Sequence, residues 1–115
     1  RSRELIENRL DLFDVIGSLP KADRGKEEEH LDIVMAWAKE TKKRLHVHVD
    51  QLNSAEEKET ELLARKTIQH GLEGRVTAVH SISLAAHPKG LICWAQCHNT
   101  SRRTCRKWIA GGPWY

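Results

Sequence analysis

Two short apolar segments, each ending in a histidine, constrain this chain more than any other feature. LHVHVDQLN, starting at Leu45, and RVTAVHS, starting at Arg75, are rich in valine and run to His48 and His80. β-Branched residues suit extended backbone, so both segments read as short buried strands. A stretch with helical spacing joins them, and 32 residues separate the two histidines. A strand, a helix and a second strand of this length make a right-handed crossover between parallel strands. Such a unit brings both histidines to the same end of one sheet.

The pattern extends toward the amino terminus. Residues 4–12 read as the end of a helix, with Leu5, Ile6, Leu10 and Leu12 apolar. FDVIGS, residues 13–18, is a further short strand, closed by Leu19-Pro20 because proline pushes its predecessor away from helix. Residues 26–42 form a helix with Glu27, Glu28 and Glu29 in its first turn and Lys42 and Lys43 at its end, an order that suits the helix dipole. Leu31, Val34, Met35 and Ala38 make its buried stripe. Ser54-Ala-Glu-Glu57 has the form of a capping box that starts the next helix, which runs to His70 and stops at Gly71. The fold class is therefore α/β, a parallel β-α-β-α-β unit.

Ligands in such folds bind beyond the carboxyl ends of the strands. His48, His80 and the segment after Gly17 all fall there. Period two places His46, His48 and Asp50 on one face of their strand, with Val47 and Val49 on the other. In the next strand Val76, Ala78 and His80 share a face. Turning both histidine faces inward makes the two rings neighbours and leaves Val47, Val49 and Val79 to pack against helices. Neutral imidazole suits zinc and iron, and a bound divalent metal generates hydroxide from water near neutral pH. His46, His30, His70, His87 and His98 have no comparable placement and read as packing or surface residues.

These segments resemble the amidohydrolase superfamily, in particular its cytosine deaminase-like branch of barrel enzymes. FDVIGSLP is similar to the family's fourth strand, LHVHVDQ to its fifth and VTAVHS to its sixth. The resemblance covers residues 3–88 and implies an incomplete part of a TIM-type (β/α)8 barrel, since a full barrel takes about 250 residues and this chain has 115. It implies that His48 is the fifth-strand metal ligand and that His80 contacts the nucleophilic water or ligates a second metal. Asp50 and Gln51 would line the substrate side. The resemblance further implies zinc or iron as the metal, and hydrolysis of an exocyclic C–N bond of a small heterocycle by metal-activated water as the reaction. Gln51 stands where the cytosine deaminases carry a proton-shuttling glutamate. An amide cannot act as a general acid, so a triazine-like ring fits better than cytosine itself. His46-Val-His48 also has the form of the family's first-strand His-x-His, but the spacing to His80 and the upstream FDVIGSLP favour the fifth strand. The family's first-strand pair and eighth-strand aspartate have no counterpart here, so the chain alone is expected to bind metal weakly and turn over nothing.

Charge divides the chain abruptly. All 16 acidic residues precede Lys89, and residues 89–115 carry five basic residues, all three cysteines and three of the four tryptophans. This basic tail has no helical period. Cys93, Cys97, His98 and Cys105 lack the paired spacing of strong zinc motifs. The alternative to an enzyme section is a non-catalytic α/β module whose tail binds zinc or, through Arg102, Arg103, Arg106 and Lys107 near Trp94 and Trp108, nucleic acid. The composition of the tail fits out-of-frame translation better, and the opening RSRELIENRL reads as the middle of a helix. The reading is a truncated, frame-shifted section in two parts, residues 1–88 and 89–115. No run of about 18 apolar residues and no cleavable leader pattern is present, so a cytoplasmic protein without a membrane span is expected.

Overall fold

The computed structural model of the chain describes residues 2–87. Helix α1 (Ser2–Glu7) and a 3₁₀ turn at Leu10–Leu12 lead into strand β1 (Val15–Ser18). A second 3₁₀ turn, Pro20–Ala22, precedes helix α2 (Glu27–Thr41), strand β2 (Arg44–Val49), helix α3 (Glu59–His70) and strand β3 (Val76–His80), and a last 3₁₀ turn covers Ile82–Ala86. The strands form one parallel sheet in the order β1-β2-β3. Both crossovers pass over the same face, and α2 and α3 pack against each other there. This is a β-α-β-α-β segment of the kind from which (β/α)8 barrels are built.

The core lies between that sheet face and the two helices. Leu45, Val47 and Val49 are fully buried on β2, and Leu31, Val34, Met35 and Ala38 form the expected stripe of α2. Trp37 joins them, and its indole N–H donates to Glu7 at 3.2 Å, which ties α1 to α2. Helix α2 ends at Lys42 in the left-handed conformation, with Lys43 N–H donating to the Ala38 carbonyl. Helix α3 stops where glycine permits a positive φ. Gly71 has φ +66°, and Leu72 N–H donates to the Thr67 carbonyl while its side chain is buried.

Two expectations need correction. The first concerns the start of α3, which begins at Glu59 and not at Ser54. Ser54 Oγ accepts only from Glu56 N–H at 3.2 Å, and the Glu57 carboxylate turns away to Leu52 N–H and Lys21. The amides of the first turn are taken instead by Asp50, at the end of β2. The second concerns the faces of β3. Parallel pairing sets Leu45 opposite Val76 and Val47 opposite Ala78, so Val76 and Ala78 face the helices. Thr77 and Val79 stand on the uncovered face beside His46 and His48, the reverse of the expected arrangement. Residues 89–115, with the zinc and nucleic-acid readings placed on them, lie outside the described residues. Among the described residues no helix is long and apolar enough to cross a membrane.

Candidate active site

Strict alternation would send the His80 ring to the helix side, because its register partner is the buried Val49. The backbone prevents this. His80 has φ +76° and Ser81 φ +51°, so the strand leaves its pleat at the last residue and the ring swings to the open face. There His80 Nε2 lies 3.1 Å from His48 Nδ1, with ring centroids 5.1 Å apart and planes inclined at 55°. In this hydrogen bond one ring nitrogen donates its N–H and the other accepts, which of the two depending on the tautomer. The expected meeting of His48 and His80 occurs, by a route other than the face alternation that predicted it.

Asp50 follows the opposite course. It comes directly after Val49 with φ +48°, which turns its side chain from the histidine face into the core, where it is 1% exposed. Its carboxylate accepts from Glu59 N–H at 2.9 Å and Thr60 N–H at 3.1 Å, and its own N–H donates to the Glu59 carboxylate at 2.9 Å. The exchange caps α3 from the end of β2. A buried carboxylate is tolerable here because two amides and the positive end of the helix dipole face it. The Asp50 carboxylate, which the resemblance puts on the substrate side, is committed to α3 in this structure. Gln51, next in the chain, is exposed and lines a cleft of about 420 Å³ with His48, Gly17, Ser18 and Leu19.

The loops around this cleft are laced together. Lys21, after β1, forms an ion pair with Glu57, after β2. Glu57 also accepts from Leu52 N–H at 2.8 Å, and His87 donates a ring N–H to the Glu57 carbonyl at 2.6 Å. The hydrogen bond from Lys21, aided by that from Leu52, holds the Glu57 carboxyl below the usual carboxylate range. The hydrogen bond to Glu57 correspondingly raises the Lys21 ammonium. Sequence reading missed Lys21 and His87. Neither has a periodic or spaced partner in the chain, and only the convergence of three strand ends brings them to Glu57.

The two imidazoles fit a metal in part. Nitrogens of a tetrahedral zinc centre are about 3.3 Å apart when each bond is about 2.05 Å, close to the 3.1 Å found between His48 and His80. Two nitrogens are half of such a shell. Among the described residues no group of three His, Cys, Asp or Glu side chains converges. His46, two residues before His48, is half-buried on the same open face and reaches neither ring.

No protein-family model matches the chain. It is 44% identical over 91 residues to an uncharacterized protein of Haemophilus influenzae, a match covering 76% of this chain and 33% of that protein. Among solved structures it is similar to 5-methylcytosine deaminase from Klebsiella pneumoniae liganded with phosphonocytosine, with a TM-score of 0.73 and 21% identity. The same enzyme liganded with 5-fluorocytosine gives 0.72 at 21% identity. These matches cover 85% and 86% of this chain but 26% of the deaminase. The chain thus spans about a third of its curated relative and about a quarter of the solved enzyme. What is shared is the fold: the described residues are built as a section of that deaminase is built.

Proposed function

We propose that this chain is a section of a metal-dependent amidohydrolase of the cytosine deaminase-like branch, hydrolysing an exocyclic C–N bond of a nitrogen heterocycle. The observation that carries the reading is the pair of imidazole nitrogens 3.1 Å apart at the carboxyl ends of adjacent parallel strands. The similarity in fold to a deaminase liganded with cytosine analogues supports it. In this reading β1, β2 and β3 are the fourth to sixth strands of the barrel. His48 holds the zinc or iron, and the remaining ligands come from outside the described residues. A cation held there would supply Lewis acidity, lowering the pKa of a bound water. His80, within hydrogen-bond reach of His48, would orient a water and accept its proton.

Gln51 lines the cleft beside His48 and orients the ring by donating and accepting hydrogen bonds. It supplies no proton, so an aminotriazine-like ring is the substrate class in preference to cytosine. Asp50 acts one step removed, holding the loop that carries Gln51. The section by itself binds metal weakly and deaminates no heterocycle, and the whole protein is cytoplasmic.

Zinc titration of the 115-residue chain followed by calorimetry tests the metal half of this reading. Binding is weak, is abolished by His48→Ala and weakens about tenfold or more with His80→Ala. Expressed with its flanking coding sequence, the protein releases ammonia from an aminotriazine faster than from cytosine. Zinc binding that is identical in the wild type and both variants would rule the centre out.

A further inference from the structure

A second chemically capable cluster lies on the other face of the sheet. Ser18 shares a face of β1 with the core residue Ile16, so its side chain points toward α2. Its Oγ is 2.7 Å from Nε2 of His30, in the first turns of α2. The other ring nitrogen, Nδ1, is 2.5 Å from Oδ2 of Asp23, just beyond the Pro20–Ala22 turn. A hydroxyl at Nε2 and a carboxylate at Nδ1 is the order required to activate a serine. The carboxylate accepts the Nδ1 proton, which fixes the tautomer and leaves the Nε2 lone pair facing the hydroxyl.

All three side chains border one groove of about 470 Å³. Ser18 is 9% exposed and the His30 side chain about one fifth; the groove is the approach to His30 and one of two to Ser18. Ile33 and Trp37 give the groove an apolar wall, and the charged residues Arg3, Lys26 and Glu29 also line it. An apolar wall beside a based hydroxyl accepts a short acyl group.

We propose that Ser18, His30 and Asp23 form a nucleophilic site for small activated carboxylic esters, such as aryl esters, on the opposite sheet face from the His48–His80 pair and independent of metal. Ser18 Oγ forms a bond to the ester carbonyl carbon while its proton passes to His30 Nε2. The tetrahedral adduct collapses, the bond to the phenolic oxygen breaks, and His30 returns the proton to the departing phenolate. Water then attacks the acyl-serine, giving one proton to His30, and the carboxylic acid leaves as that proton returns to Ser18. The net change is hydrolysis of the ester by one water. An aryl ester is the fitting class because a phenolate leaves without the strong protonation an amine needs.

The test is covalent labelling of the whole chain with an alkyl fluorophosphonate in excess EDTA, with the adduct located by tryptic mass spectrometry and p-nitrophenyl acetate hydrolysis followed in parallel. The expected result is an adduct on Ser18 in the native protein, absent after heat denaturation, slowed at least tenfold by His30→Gln and less by Asp23→Asn. No adduct on the native wild type, an adduct on any other residue, or equal labelling of native and denatured protein overturns the proposal and leaves the cluster as a tie between the β1 loop and α2. Because the labelling is done without metal, its failure and a failure of zinc binding at His48 are separate results.

Discussion

At the scale of the residue, the site depends on two backbone departures that share one form. Asp50 and His80 each stand at the end of a strand, and each has a positive φ. In one case the departure buries a carboxylate against a helix; in the other it exposes an imidazole next to its partner. A non-glycine residue held in this region costs on the order of 1–3 kcal/mol and persists where the surroundings fix it. His80→Gly therefore raises stability by about 1 kcal/mol, measured by urea denaturation, while removing the ring from the site. A loss of stability in that variant would mean that the ring packs for the fold and is not held at a cost for the site. Nothing in the spacing of VTAVHS signals the positive φ, because histidine is common in regular strands. The convergence of the two histidines was legible in the sequence, but the way the second ring reaches the first was not.

At the scale of the element, α3 shows how a local signature can lose to a partner at the end of a strand. Ser54 and Glu57 have the spacing of a capping box, yet the helix begins at Glu59 and takes its cap from Asp50. The reason lies in charge and burial. Asp50 is a charged acceptor, is 1% exposed and meets two amides, while Ser54 is half-buried and Glu57 is drawn to Lys21. Asp50→Ala leaves two amides at the helix start without their acceptor and lowers stability by about 2 kcal/mol. Ser54→Ala changes it by no more than about 0.5 kcal/mol. Thermal or urea unfolding followed by circular dichroism separates the two, and a larger loss from Ser54→Ala would restore the capping box. Helix α2, by contrast, matches its sequence reading nearly residue for residue, because its glutamate-rich start and apolar stripe are both local signals.

At the scale of the whole molecule, charge pairs between elements set how the fold responds to pH. Lys66 of α3 lies 2.9 Å from Asp32 of α2, which also meets His70 at 2.8 Å. The hydrogen bond from His70, with that from Lys66, holds the Asp32 carboxyl below its ordinary range, and Glu57 is held low in the same direction by Lys21. A carboxyl depressed in the folded state contributes stability that is present above its unfolded pKa and lost as pH falls through the folded value. Lys66 is raised, chiefly by its hydrogen bond to Asp32, so its contribution is present below the ordinary lysine range and lost as pH rises through the folded value. The acid limb of stability therefore begins below about pH 4. Asp32→Asn flattens part of that limb, and chemical denaturation at pH 7 and pH 3 gives the comparison. An acid limb unchanged by the substitution would remove the α2–α3 pair from the account.

The sequence by itself determined the element order, the parallel sheet and the strand-end position of His48 and His80, because period, β-branching and crossover length are local quantities that survive into any fold they build. Only the tertiary structure decided which face of β3 is covered, since both faces of VTAVH are apolar enough to be buried and parallel pairing with β2 settles the choice. It alone joined Asp50 to α3, Lys21 to Glu57, and Ser18 and Asp23 to His30. Each of these contacts is made between residues in different elements or loops, and their meeting depends on how strands and helices pack, which no spacing along the chain encodes.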